Sequence, residues 1–131
     1  MRSKKMKVMV VDDEQDVQIL FQQRFRKEIR SGMINFHFAF SGEEGYQYLK
    51  HNGATDIVMI LSDINMPGMN GLELLKKVKK DYPDLTVFMI TAYGDENNYR
   101  KAREYGCDDY FTKPINFEDL KNKILNNGLQ N

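Results

Sequence analysis

Short runs of apolar residues alternate along the chain with longer stretches in which apolar residues recur at helical spacing, the pattern of strands and helices taken in turn. The first run, Lys7-Val8-Met9-Val10-Val11, ends in adjacent acids, Asp12 and Asp13. Val17, Leu20, Phe21 and Phe25 then keep helical spacing, with Arg26, Lys27 and Arg30 near the end and Gly32 after it. This predicts one helix whose cations favour its negative carboxyl end and whose stop is a left-handed glycine. Phe36, Phe38 and Phe40 alternate with Asn35, His37 and Ala39, so a strand with one apolar face is expected there, suited to the edge of a sheet. Ser41-Gly42-Glu43-Glu44 has the Ser-x-x-Glu spacing of a capping box, which starts a helix running to about His51 and closed by Asn52-Gly53.

The central run is Val58-Met59-Ile60-Leu61-Ser62-Asp63, followed at once by Ile64-Asn65-Met66-Pro67-Gly68-Met69-Asn70-Gly71. An apolar run ending in a carboxylate and a Pro/Gly loop predicts a buried parallel strand that delivers Asp63 onto its carboxyl edge. Leu72, Leu75 and Val78 mark the next helix, ended by Asp81-Tyr82-Pro83-Asp84, and the run Leu85 to Ile90 finishes in Thr91. The stretch from about Asp95 to Tyr105 is mostly polar, with Tyr99, Ala102 and Tyr105 as a thin stripe, and predicts a helix loosely held to the core. Tyr110-Phe111-Thr112 reads as a fifth strand ending in Lys113-Pro114, and Asn116 can cap a last helix with Phe117, Leu120 and Ile124 inward. The polar tail from Asn126 to Asn131 is expected to fray.

Five alternations of strand and helix imply an α/β fold: a parallel sheet with right-handed crossovers and helices on both faces. The strand order 2-1-3-4-5 is compatible with this pattern, although periodicity does not select it. In open α/β sheets ligands bind at the carboxyl ends of the strands, so Asp12, Asp13, Asp63, Thr91 and Lys113 are expected to converge on one rim.

With 131 residues the chain is sized for one domain, here 1–131 with a core of about 6–126. Nineteen basic residues balance nineteen acidic ones, so nothing draws the chain as a whole to nucleic acid or an anionic membrane. Cys107 is the one cysteine and excludes an internal disulfide; its polar neighbours argue for a bland core or surface role. The basic start, Met1-Arg2-Ser3-Lys4-Lys5, leads into too short an apolar run for a signal peptide or membrane span, and a cytoplasmic setting is expected.

Carboxylates packed together repel one another, and burial on a strand edge raises the cost unless a cation joins them. Asp12, Asp13 and Asp63 therefore suit a hard divalent ion with oxygen ligands, best Mg²⁺. A metal, the Lys113 ammonium and the Thr91 hydroxyl around Asp63 form a trap for a phosphoryl group. Asp63 would attack in line and become an acyl phosphate. The metal-free alternative has Lys113 pairing with one acid.

These marks carry a resemblance. Asp12-Asp13 after the first strand, Asp63 in Asp-Ile-Asn-Met-Pro-Gly-Met-Asn-Gly, Thr91-Ala92, Tyr110 and Lys113-Pro114 occur in order, and the chain resembles the receiver domain of bacterial two-component response regulators over essentially its whole length. The resemblance implies a flavodoxin-like (βα)5 fold of order 2-1-3-4-5. In it Asp63 accepts a phosphoryl group from a phosphohistidine on a sensor histidine kinase or phosphotransfer protein. Mg²⁺, or Mn²⁺, would sit on Asp13, Asp63 and the backbone carbonyl of Asn65, with Asp12 acting through water. Thr91 and Lys113 would bind the phosphoryl oxygens, and Tyr110 would swing inward when Thr91 moves. The fourth helix, fifth strand and last helix would be the signalling face. A cis Lys113-Pro114 bond is also implied, aiming Lys113 at the site. Asn65 and Tyr93, two residues after Asp63 and Thr91, would flank the path of a hydrolytic water. The segment Lys27 to Asn35 is longer than the family pattern, which bears on partner choice and not on the chemistry.

Two rivals share the pattern in part. A haloacid-dehalogenase-type phosphohydrolase needs Asp-x-Asp after its first strand, whereas the acids here are adjacent. A pseudo-receiver serving only for docking would lack an acid or the lysine, and this chain keeps them all. Neither a Gly-x-Gly-x-x-Gly turn nor a Walker lysine follows a strand, and His37 and His51 lack partners at ligand spacing. An enzyme acting on other substrates is not expected. The output, through a C-terminal effector or a separate downstream protein, carries no mark in the sequence.

Overall fold

In the computed structural model, which describes residues 6–52, 57–92 and 94–130 apart from the side chains of 128–130, each apolar run is a strand. The strands are Met6–Val11 (β1), Ile34–Ala39 (β2), Met59–Asp63 (β3), Thr86–Ala92 (β4) and Asp109–Lys113 (β5). The helices are Asp16–Arg24 (α1), Arg26–Arg30 (α2), Gly42–Asn52 (α3), Gly71–Asp81 (α4), Glu96–Glu104 (α5) and Phe117–Gln130 (α6). All strand pairs are parallel, in the flavodoxin-like order β2-β1-β3-β4-β5 with β2 at an edge, as the resemblance implies.

Successive side chains of a strand face opposite ways, and both faces of this sheet are covered. Val8 and Val10 of β1 join Phe21 and Phe25 near α1 and Leu120 and Ile124 of α6. Met9 and Val11 join Leu49 of α3, Leu75 and Val78 of α4 and Ala102 of α5. Burial on both sides explains why β1 and β3 read as continuous apolar runs rather than alternating ones. The α5 helix buries Ala102 alone, and Tyr99 stays 42% exposed, in line with a thinly held element.

Three expectations change. The single helix after Asp13 is two, broken at Phe25, whose φ of −107° and ψ of 23° leave the helical region. The hydrogen bonds Phe25 N–H to Phe21 O and Ile29 N–H to Phe25 O, both 2.9 Å, persist through the bend, so spacing alone could not reveal it. Beyond the bend Glu28 of α2 pairs with Lys121 of α6 at 3.2 Å, and Gly32 ends the segment with φ +80°, as predicted. Phe40 lies past the end of β2. The tail is helical to Gln130 because Leu125 still packs on the core and nothing between Asn126 and Gln130 forbids the turn. Gly53 lies outside the described residues.

The chain leaves β1 toward β2 on one side and meets β3 on the other, which opens a crevice at the carboxyl ends. Asp12, just past β1, and Asp63, the last residue of β3, therefore meet side by side.

Candidate functional site

The backbone around Asp63 is fixed from several directions. Ser62 Oγ donates to the Asp63 carbonyl at 2.9 Å, Ile64 N–H donates to Ile90 O at 3.1 Å, and Gly71 N–H donates to Ile64 O at 2.8 Å. A Cβ on Gly71 would lie 2.1 Å from Asp63 O, so only glycine permits α4 to start this close to the strand end. Asn70 and Glu73 complete the start of α4 as a capping box: Asn70 Oδ1 accepts Glu73 N–H at 2.9 Å and Glu73 Oε1 accepts Asn70 N–H at 3.3 Å. Its Asn-x-x-Glu spacing stands in the sequence and was not among the expectations.

Asp12 and Asp63 are 7% and 5% exposed, while Asp13 is exposed. One carboxylate oxygen from each of the three lies within 4.8 Å of the others. Lys113 Nζ stands 3.7 Å from Asp12 Oδ2 and 3.5 Å from Asp63 Oδ1, and the Lys113-Pro114 bond is cis. Burial, and next the charge of Asp12, pushes the Asp63 carboxyl up to about 6, against the pull of Lys113 and the Ile64 N–H. Burial raises Asp12 as well, opposed by the Glu14 N–H that donates to its Oδ1 at 2.9 Å. Burial pulls Lys113 down, but Asp63 and Asp12 outweigh it and the ammonium is held above its ordinary value.

Two nearly buried carboxylates thus share one ammonium, and a third acid waits at the surface. A donor set of oxygens alone with excess negative charge fits a hard divalent cation such as Mg²⁺.

Thr91 is fully buried in β4, one residue past Ile90, the β4 partner of Asp63, and its Oγ1 has no hydrogen-bond partner among the described residues. The Tyr110 phenol is pushed up mainly by burial, with the nearby Thr91 hydroxyl pulling the other way, yet no hydrogen bond of good geometry joins the two. Tyr110 Oη instead donates to Asp95 O at 3.5 Å, and its ring meets Tyr99 edge-on at 4.7 Å. Asn65 is exposed in the loop after β3; Tyr93 lies outside the described residues.

The sequence reading missed a cleft of about 330 Å³ running from Asp12, Asp63 and Lys113 toward Leu20, Phe21 and Phe117. Leu20, expected inward, is 37% exposed beside it, an apolar position at helical spacing whose only signal was that spacing. His37 stacks on Tyr48 at 3.9 Å, and burial followed by the Asp108 charge pushes the Cys107 thiol up, so it is not activated.

Fold and site together define a flavodoxin-like α/β domain with an acid cluster and a lysine at its topological switch point. Residues 8–125 match the response regulator receiver domain family, and the chain belongs to it. It is 34% identical to a chemotaxis protein CheY homolog of Campylobacter jejuni, over 91% of this chain and 89% of that one. It is 28% identical to the sporulation initiation phosphotransferase F of Bacillus subtilis, over 90% of each. A solved receiver domain from Clostridium thermocellum superposes with a TM-score of 0.82 at 27% identity, covering 93% of both chains. The chain is thus a two-component signalling module, and no described helix is long and apolar enough to cross a membrane.

Proposed function

We propose that Asp63 is the phosphoacceptor of a two-component phosphorelay, taking its phosphoryl group from the phosphohistidine of a sensor histidine kinase or phosphotransfer protein. The observation that carries this is the nearly buried Asp63 carboxylate held beside Asp12 with the Lys113 ammonium 3.5 Å away. With its carboxyl at about 6, Asp63 is mostly ionised at neutral pH and available as a nucleophile. An Asp63 oxygen forms the new bond to phosphorus as the bond to the histidine nitrogen breaks, and the imidazole leaves with the electron pair. Lys113 then follows the phosphoryl oxygens and Thr91, whose hydroxyl has no competing partner, donates to one of them.

Asp13, Asp63 and the Asn65 carbonyl, with Asp12 through water, would hold Mg²⁺ or Mn²⁺. That ion, when bound, supplies positive charge against the phosphoryl oxygens. The chain would catalyse only its own phosphorylation and dephosphorylation. Thr91 and Tyr110 would couple the site to the face formed by α5, β5 and α6, and output would pass to an effector domain or a downstream protein.

The test is incubation with acetyl phosphate or phosphoramidate and Mg²⁺, followed by intact mass. One phosphoryl group is expected on the wild type and none on Asp63→Asn or in EDTA. Labelling of Asp63→Asn at the wild-type rate would refute the assignment.

A further inference from the structure

The loop from Ile64 to Asn70 carries Asn65, and it is tied down at both ends. At its base Gly71 N–H donates to Ile64 O at 2.8 Å. At its far end the tie comes from another element: Glu43, in the first turn of α3, accepts the Met69 N–H on Oε2 at 2.9 Å across 26 residues of sequence. This bond to Met69, and next the one to its own backbone N–H, holds the Glu43 carboxyl below its ordinary value.

The fit is two-sided. A Cβ on Gly68 would stand 2.6 Å from Glu43 Oε2, and Gly68 has φ +73°, so the carboxylate occupies space that a side chain would fill. A Cβ on Gly42 would stand 2.5 Å from Met69 O, so α3 meets the loop backbone to backbone beside the bond. An exposed acid on a helix surface needs none of this.

We infer that Glu43 is a positioning residue for the divalent cation: by holding Met69 it fixes the loop that presents the Asn65 carbonyl beside Asp63. This rests on the proposed Mg²⁺ site. Glu43 itself touches neither metal nor phosphoryl group; it acts through four residues of backbone whose other end is already closed on Ile64. Partners one layer behind a metal site set the ligands' positions, and removing one weakens metal binding by about 10- to 100-fold. A bond at the surface is worth less, so about three- to tenfold is expected here.

Two readouts test the inference on the whole chain. Amide exchange of Met69 in metal-free protein should quicken in Glu43→Ala and stay near wild type in Glu43→Gln, whose amide oxygen still accepts the N–H. Calorimetric Mg²⁺ titration should show binding weakened about three- to tenfold in Glu43→Ala and little changed in Glu43→Gln. Phosphorylation at saturating Mg²⁺ should then recover to the wild-type rate.

Wild-type exchange and Mg²⁺ affinity in Glu43→Ala would overturn the inference. Glu43→Gln as weak as Glu43→Ala would overturn it too, since that outcome makes Glu43 a mere surface charge. If the wild type neither bound Mg²⁺ nor took up phosphate, the proposed function would fail and the positioning role with it. The exchange rates would still decide whether the tie exists.

Discussion

Replacing Asp63 by asparagine should make the metal-free protein more stable at neutral pH. In the folded chain the Asp63 carboxyl sits at about 6 against an ordinary 3.8, because burial and Asp12 penalise its charge. A group raised in the folded state binds its proton more tightly there than in the unfolded chain. Its favourable contribution is present below pH 4 and is lost as pH rises through about 6. A rise from 3.8 to about 6 corresponds to about 3 kcal/mol, an upper figure because Asp12 titrates against the same ammonium. Asparagine has the shape of the neutral acid and carries no charge, so the variant should gain about 1 to 3 kcal/mol at pH 7.5 and almost nothing at pH 4. Urea unfolding in EDTA at both pH values measures it. With slopes of about 1 to 3 kcal/mol per molar for small domains, a 2 kcal/mol gain moves the midpoint by about 1 M. An asparagine variant no more stable than wild type at pH 7.5, or a gap that is the same at pH 4 and 7.5, would refute the electrostatic account of the site.

Mg²⁺ should restore at neutral pH what the repelling acids cost: at ten times its dissociation constant it adds about 1.4 kcal/mol, read as a rise in melting temperature that Asp13→Ala should abolish. Phe21→Ala should cost about 3 to 5 kcal/mol in urea unfolding, because this fully buried ring meets Phe25, Phe36, Phe38 and Phe117. Thr91→Val removes a buried hydroxyl that has no partner among the described residues, so the variant should be as stable as wild type or up to about 2 kcal/mol more so. A clear loss of stability there would mean the hydroxyl is bonded in the resting protein.

Much of the fold was legible because parallel strands buried on both faces leave a blunt mark, a continuous apolar run, and each run here became a strand. The rim chemistry was legible for the same reason: strand ends fall where the runs end, so Asp12, Asp63 and Lys113 could be placed on one edge before any distance was known. Periodicity is silent where the hydrogen-bond ladder continues through a local departure, as at Phe25. It is silent again where a contact joins residues far apart in sequence, as Glu43 does with Met69 and Glu28 with Lys121. The strand order came from the resemblance, since the alternation of strand and helix is the same for several windings of the sheet.

Stability and signalling pull against each other at Thr91. A buried hydroxyl without a partner costs about 1 to 3 kcal/mol, and a stable core would fill its place with a methyl group. On the proposed reading the cost has a return: a phosphoryl oxygen on Asp63 gives the hydroxyl its first strong acceptor, so nothing is broken when that bond forms. A hydrogen bond to a charged acceptor is worth about 1.5 to 3 kcal/mol, which shifts a two-state equilibrium by about 10- to 100-fold. The element that must respond is weakly held, since α5 buries only Ala102 and meets Tyr110 through Asp95 O at 3.5 Å and the edge of Tyr99. On that reading a bias of that size acting on one loose helix would suffice to switch a surface, whereas the same bias against the fully buried Leu75 and Val78 of α4 would move nothing.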